Sequence, residues 1–415
     1  MKISEFSEQF GLSPETVRFY VNKGLLVPLS VNGRYSFSGQ DVSDMEQILK
    51  LKGWRFSLAD IHRIISLKRL SNLDSAEELR DYINILKKQR KLLIREKGEL
   101  EAVISSLRYE IATASGKHTG APPRVSGVPL LFLPYLACPH CQGKLSVQNC
   151  HIEQEQIISG ILACSCGYTA SIQNGIILGE QGEVSIYDGP DLERNCYRMM
   201  SPSLITLMQK DYLWMLSRLS QCETSGKLIL EDFINDYCFC HANFEFLDPN
   251  ALYILSDKFP EIVSMYKGLI DRMNLPHQIL YIAAGSHLLP LKERCVDIYI
   301  DLACNEYAIF KPGYSTDPLA RHFHGETRAI GSFWYMDPRC STRRELQKQY
   351  PENWEHNFDL PYFKKYLSQR WREVKELEDI GFITDPGAED SFSYHANGDK
   401  LFLLSYFTAG LSRDK

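Results

Sequence analysis

Several features are missing from this 415-residue sequence. It has no run of about 18 apolar residues, so no hydrophobic membrane-spanning helix is expected. The opening MKISEFSEQFG lacks the apolar core of a secretory signal, which makes a cytoplasmic location the expectation. There is no overall excess of basic charge, since 46 Lys and Arg stand against 52 Asp and Glu, a net charge of −6. That balance argues against a nucleic-acid partner only if the charge is evenly spread, and it is not. Residues 1–118 hold 19 basic and 15 acidic side chains, and the remainder holds 27 and 37. Hydrophobic residues at 44% and charged residues at 24% exclude a wholly disordered or fibrous chain. Cysteine, by contrast, is plentiful. Twelve of them in a chain with no secretion signal point to thiols or metal ligands rather than disulfides.

The first seventy residues read as helix-turn-helix followed by a wing. Ile3, Phe6, Phe10 and Leu12 fall at helical spacing, with Ser4 available as a cap, and Gly11-Leu12-Ser13 breaks the helix. Ser13-Pro14-Glu15-Thr16 is a helix start, with serine as N-cap, proline at the first position and an acid in the first turn. That second helix ends at Gly24 and would be the one to enter a major groove. Asn32-Gly33 between β-formers predicts a hairpin. Asp41 opens a further helix through Met45, Ile48 and Leu49, and Ser57 caps another through Leu58, Ile61, Ile64 and Ile65.

The stretches ISEFSEQFGLSPETVRFYVNKGLL, NGRYSFSGQDV and KLKGWRFSLADIHRII, in this order, resemble the DNA-binding domain of the MerR family of transcription regulators. The resemblance implies double-stranded promoter DNA as partner, a homodimer, and an indirect effect on RNA polymerase. It implies base and phosphate contacts at Thr16, Arg18, Tyr20, Arg34 and Tyr35. The residues themselves leave Tyr20 and Tyr35 open to a second reading as core aromatics. Arg18 and Arg34 have no apolar role, so phosphate contact is favoured for both.

Leu79, Leu86, Leu93, Leu100 and Leu107 recur every seventh residue, with Ile83, Ile104 and Ile111 in the second seam position and Arg90 and Lys97 interrupting it. Heptads with charged flanks predict a coiled coil over 79–111, about 48 Å long, joining two copies of the chain. A long helix packed on its own chain is the alternative. The basic run Lys87–Lys91 is expected to be a solvated face. A Gly-, Pro- and Ser-rich linker follows.

Cys138-Pro139-His140-Cys141 and Cys164-Ser165-Cys166-Gly167 are two close cysteine pairs spaced like the ligands of structural zinc. Four thiolates would saturate a tetrahedral ion and leave no position open for chemistry. His140 and Cys150 are the candidate substitutes. The segment resembles the small zinc ribbons that accompany some methyltransferases.

From about residue 190, helices alternate with strands at 227–234, 251–256, 278–283 and 296–300, which implies a largely parallel sheet covered on both faces. The order resembles a class I S-adenosylmethionine-dependent methyltransferase. It is carried by SDKFPEIVSMYKGLI, AAGSHLLPLKERCVDIYID, the turn Phe310-Lys311-Pro312-Gly313 and the closing LEDIGFITDPGAEDSFSYHANGDKLFLLSYF. The departures matter as much. The glycine-rich loop that admits the cofactor is replaced by Asn235-Asp236-Tyr237-Cys238-Phe239-Cys240-His241. At the place of the family's adenine-edge acid stands Gly285. Asp257 keeps the place of the ribose-binding acid, or else caps the helix opened by Pro260. Tyr237, Cys238, Phe239, Asp257 and Gly285 are therefore the expected lining of a remodelled pocket, and S-adenosylmethionine bound in the usual way is not expected. A metal or redox role for Cys238, Cys240 and His241 is set against simple core burial. His322 and His324 are expected at the surface, and Trp334, Tyr335, Trp354 and Trp371 suggest a lid or partner surface, with burial in the core left open.

The expected fold is multidomain. It comprises a winged helix-turn-helix at 1–72, a dimerisation helix at 73–114, a linker at 115–127, a zinc ribbon at 128–186 and an α/β Rossmann-like methyltransferase-type domain at 187–415. The expected function is a DNA-binding regulator whose C-terminal half senses a small-molecule effector or serves as scaffold, without catalytic residues. An active methyltransferase on RNA or a small molecule, carrying its own regulatory module, is the alternative. A docking surface for another protein is a third reading.

Overall fold

The computed structural model describes residues 1–412 apart from 32, 72, 117–125, 183–188, 303–312, 315, 350–357, 388–394 and 396–397. Most of the expected linker, the turn at Phe310–Pro312 and Trp354 lie outside the described residues. The chain divides into two compact units, Met1–Thr119 and Gly120–Lys415.

The first unit is built from its caps. Helix α1 (Ile3–Gln9) starts at Lys2 rather than Ser4, because the Glu5 carboxylate accepts the Lys2 N–H at 3.0 Å. Helix α2 (Pro14–Asn22) is capped by Ser13, whose Oγ accepts the Thr16 N–H at 3.2 Å. Gly11 (φ 61°) and Gly24 (φ 70°) turn the chain before and after it in the left-handed region. Strands β1 (Leu29–Val31) and β2 (Arg34–Ser36) pair antiparallel around Gly33 to form the wing. Helix α3 (Gly39–Gly53) opens at a capping box in which Ser38 and Asp41 satisfy each other's N–H, so Asp41 is the third helical residue and not the first. Helix α4 (Leu58–Ser71) is capped by Ser57. Phe6, Val17, Tyr20, Met45, Ile48, Ile61 and Ile64 close one core.

Helix α5 (Ala76–Gly116) has 41 residues, about 60 Å of helix. Its two halves differ. Tyr82, Ile85 and Leu86 pack on the helix-turn-helix core, and Gln89 Nε2 donates to the Trp54 and Arg55 carbonyls at 2.9 and 3.0 Å. The reading of a helix packed on its own chain thus holds for this half. Beyond it Leu92, Ile94, Leu100, Val103, Ile104, Leu107 and Ile111 are exposed.

Among the described residues, the second unit is organised on one sheet of twelve strands. Strands β3 (Val128–Pro129), β4 (Ser146–Glu153), β5 (Gln156–Ala163), β6 (Thr169–Gln173) and β7 (Ile176–Leu178) form the cysteine-bearing ribbon, antiparallel throughout. Strands β8 (Leu228–Asp232), β9 (Leu252–Asp257), β10 (Gln278–Ala283), β11 (Val296–Asp301) and β12 (Phe323–Met336) are parallel, in the order β12-β11-β8-β9-β10. The hairpin β13 (Trp371–Ile383) and β14 (Leu401–Leu411) closes one edge, β14 running antiparallel to β12. At the other edge β7 pairs parallel with β10, so the ribbon continues the sheet without a break. Residues of β8, β9, β10 and β11 are buried almost throughout, as expected for parallel strands covered on both faces. Helices α6 (Asn195–Arg198), α7 (Pro202–Leu219), α8 (Phe239–Asn243) and α9 (Pro260–Asp271) follow in chain order, and α7, α8 and α9 pack on one face. The helix Leu360–Arg370 and the ribbon cover the other.

Two expectations about the late segment fail. His322 is not at the surface. It is buried, its Nδ1 lies 3.0 Å from the Lys292 carbonyl, and burial pushes it down to about 4. His324 is half-buried, 3.4 Å from Asp297. Trp334 and Trp371 are no lid, because both rings are buried in strands of the sheet, β12 and β13. Trp334 joins the core on one face of the sheet and Trp371 the core on the other.

Candidate functional site

Three places carry the residues singled out from sequence. On α2, Arg18 is exposed, with Glu15 its near neighbour at 3.9 Å. Thr16 is half-buried, its hydroxyl 3.0 Å from Ser13 Oγ. On the wing Arg34 is exposed and Tyr35 is half-buried, edge-on to Phe37. Tyr20 is the exception. Its ring is buried in the helix-turn-helix core, and its hydroxyl accepts from Lys52 Nζ at 2.9 Å, so the core reading applies to it. Helical periodicity alone could have given this, because Tyr20 lies three residues after buried Val17 on the same face.

Arg69, near the end of α4, escaped the sequence reading. It donates Nε to Asp44 at 2.8 Å, Nη2 to the Leu25 carbonyl at 2.6 Å and Nη1 to the Gly24 carbonyl at 3.3 Å. One guanidinium thereby ties the turn that ends α2 to α3 and α4 and fixes how the exposed face of α2 is presented.

The four ribbon cysteines converge. Cys138 and Cys166 sulfurs are 3.4 Å apart, Cys141 and Cys164 sulfurs 3.5 Å, and all four lie within 4.8 Å of one another. Zinc–thiolate bonds of about 2.3 Å in a tetrahedron place sulfurs about 3.8 Å apart, so the donor set fits such an ion. A Cβ at Gly143 would stand 3.1 and 3.3 Å from the Cys141 and Cys164 sulfurs, which is why glycine closes that turn. Among the described residues this is the one cluster of metal-ligating type. Cys150 is exposed on β4, and His140 instead meets Glu180 at 2.8 Å. The centre is tied to the sheet: Gln142 bonds both Leu291 and Glu293 backbone, and Arg321 donates to the Pro139 carbonyl at 2.9 Å.

The third place is the carboxyl end of β8, β9 and β10. Tyr237, Cys238, Phe239, Asp257 and Gly285 are all buried there. Each has a structural partner. Asp257 Oδ2 accepts the Asn235 N–H and Oδ1 the Phe259 N–H, both at 2.9 Å. Both oxygens are thus engaged by backbone, but Asp257 does not cap the helix opened by Pro260, whose N-cap is Phe259 and is capped by no side chain. Burial pushes this carboxyl up to about 8. Gly285 is covered, since its N–H donates to the Glu180 carbonyl at 2.9 Å and a Cβ there would meet Gly182 N at 2.7 Å. The chain leaving β7 therefore lies over the position expected to open on a ligand.

Two decisive residues here were not singled out. Glu231, at the end of β8, is buried and accepts the N–H groups of Phe239 and Cys240 at 2.5 and 2.8 Å, locking the loop that replaces the glycines. Phe233 holds φ 61°, a left-handed conformation natural to glycine. The backbone thus makes the turn of a glycine loop with a phenylalanine in it. Cys238 and Cys240 are fully buried, and burial with the adjacent Glu231 raises both thiols well above their ordinary value. That suits core burial and not a redox pair. Asp232 is likewise buried, accepting from Ser256 Oγ at 2.6 Å, and burial pushes it up to about 6.

The geometry of the first unit defines a winged helix-turn-helix. Residues 1–68 match the MerR HTH family regulatory protein model. No curated protein matches the chain. Among solved structures, a MerR family transcriptional regulator from Listeria monocytogenes is 24% identical, over 28% of this chain and 86% of its own, at a TM-score of 0.23. HiNmlR, a MerR family regulator lacking the sensor domain and bound to promoter DNA, is 23% identical over 28% of this chain and 92% of its own, at 0.23. Phosphoethanolamine N-methyltransferase 2 of Haemonchus contortus, in complex with S-adenosyl-L-methionine, is 10% identical over 48% of this chain and 52% of its own, at 0.34. No helix among the described residues is long and apolar enough to cross a membrane.

Proposed function

We propose that the chain is a DNA-binding transcription regulator of the MerR type whose C-terminal α/β unit senses a small-molecule effector and no longer transfers methyl groups. The observation that carries the DNA half is the family match over residues 1–68, joined to the free display of Arg18 on α2 and Arg34 on the wing. Guanidinium groups with no apolar role suit phosphate oxygens, and Thr16 and Tyr35 sit beside them. Two modules would be joined through the exposed residues Leu100, Ile104, Leu107 and Ile111, which have the spacing of a coiled-coil seam. RNA polymerase would feel the regulator through the shape of the promoter.

The sensor half rests on the strand ends. Phe233 stands where backbone must approach a cofactor, Asp257 has spent its oxygens on backbone, and the chain after β7 covers Gly285. The four-cysteine centre is read as structural zinc, since four thiolates leave no open position. On this reading the ribbon (128–186) and the α/β part (187–415) move as one body, because they share a sheet.

The test is selection of a duplex from a random pool by the purified protein, followed by titration. Saturable binding that weakens on Arg18→Ala at unchanged thermal midpoint is expected. Failure to enrich any duplex, or equal affinity of the variant, overturns the DNA assignment.

A further inference from the structure

We propose that Arg194, His241 and Tyr266 form a recognition subsite for the carboxylate of a small ligand, between α8 and α9 on one face of the sheet. The inference rests on the sensor reading above and names the chemistry of what is sensed.

Arg194 is the pivot. It sits just before α6 with φ 55°, and its guanidinium stacks on the Tyr197 ring at 4.2 Å and reaches the Tyr266 ring at 5.7 Å. Its Nε is buried and has no hydrogen-bond partner, and no carboxylate among the described residues pairs with it. The nearest acids are committed elsewhere. Asp191 accepts the Asn195 and Cys196 N–H groups, and Glu231 accepts those of Phe239 and Cys240. A guanidinium half removed from water without an anion is an expensive arrangement, and an incoming anion relieves it.

Two further polar atoms wait at the same place. The Tyr266 side chain is fully buried, and its hydroxyl makes no well-formed hydrogen bond, although it lies beside the Tyr197 hydroxyl. Tyr197 itself is occupied, accepting the Cys238 N–H at 2.9 Å. The His241 ring stands edge-on to Tyr266 at 5.3 Å, and its Nδ1 is buried without a partner. Burial and the neighbouring Arg194 push this imidazole down to about 4, so it is neutral at pH 7 and offers one N–H without a charge.

One cation, one phenol and one neutral imidazole match a planar monoanion. A phosphate dianion is disfavoured, because a single cation faces it, with Glu231 at the end of β8 and Asp236 on the loop that follows. Arg194 is only half-buried, so the subsite can be reached from solvent.

The test uses the full chain, with sodium acetate, L-methionine and sodium phosphate as probes at constant ionic strength. The readout is the His241 ring resonance. Acetate binding should move it saturably and raise its titration midpoint, because an anion at Arg194 favours the protonated ring. Arg194→Gln should weaken this response about tenfold or more, and Arg194→Lys should weaken it less. Tyr266→Phe removes only the hydroxyl and should weaken it several-fold, which keeps the test valid if Arg194→Gln fails to fold. Methionine separates an amino-acid carboxylate from a plain one, and either response supports the subsite. No acetate or methionine response up to about 100 mM, an equal response in Arg194→Gln, or a stronger response to phosphate overturns it. Operator affinity is measured in parallel. A response at His241 with unchanged operator affinity leaves the carboxylate site standing and overturns the sensor reading instead.

Discussion

Two turns in this protein share a backbone conformation and differ in side chain. After α2 the chain turns left-handed at Gly24, and after β8 it turns left-handed at Phe233. Gly24 follows the physical rule, and a Cβ there would also press on His62 at 3.1 Å. Phe233 breaks the rule at a cost of about 1–2 kcal/mol, the price of a left-handed L-residue. In the first unit, capping residues, glycines and apolar spacing all agree with the structure they form. In the second, the continuous apolar runs agree with the parallel strands they form, while the strand ends carry side chains where a glycine loop was expected. Backbone topology is held by many buried strand residues, and a site depends on a few atoms that can be exchanged without disturbing them.

The same contrast explains what could be read from the sequence. Ser13-Pro14, Gly24, Asn32-Gly33 and Ser57 announced the winged helix-turn-helix because local chemistry sets those turns. The cysteine centre was legible because ligand spacing survives in sequence. The parallel strands were legible as continuous apolar runs. What escaped were contacts between distant elements. Arg69 reaching Gly24, the chain after β7 covering Gly285, and Glu231 capping Phe239 and Cys240 leave no local pattern. His322 was misplaced for the same reason, its partner being the carbonyl of Lys292, just before the neighbouring strand β11. Tyr20 shows how a motif position that suggested a DNA contact is overruled by the core it faces.

Four perturbations sharpen the comparison, beginning with the largest effect. Chelation of the ion proposed for the four-cysteine cluster, or Cys138→Ser, should lower the unfolding midpoint of the second unit by several degrees at least and leave the first unit unchanged. Calorimetry that resolves the two units, with metal content by emission spectroscopy, checks it. A metal content near zero in the parent protein would refute the centre. Next, Arg18→Ala should weaken binding to a selected duplex by about 1–3 kcal/mol and reduce its salt dependence, without moving either unfolding midpoint. Titrations at several salt concentrations decide this.

The third concerns pH. Asp232 binds its proton more tightly folded, at about 6, than its ordinary value of 3.8. Stability from this group is therefore fully present below about pH 4 and is lost as pH rises through about 6. Asp232→Asn should flatten that decline by about 3 kcal/mol in denaturant titrations of the second unit. An unchanged slope would show that another group sets it. The smallest effect separates two replacements at one residue. Phe233→Gly accepts the left-handed turn, and Phe233→Val, β-branched, resists it, so the valine variant should be less stable by about 1–2 kcal/mol. Equal stabilities would mean that the turn stores no strain.

On the proposed reading, the second unit senses an effector and has no S-adenosylmethionine chemistry. Calorimetric titration of the full chain with S-adenosylmethionine tests it most directly. The account predicts no binding in the micromolar range, because Phe233 and the chain covering Gly285 occupy the approach. Micromolar binding accompanied by methyl transfer to any substrate would contradict it.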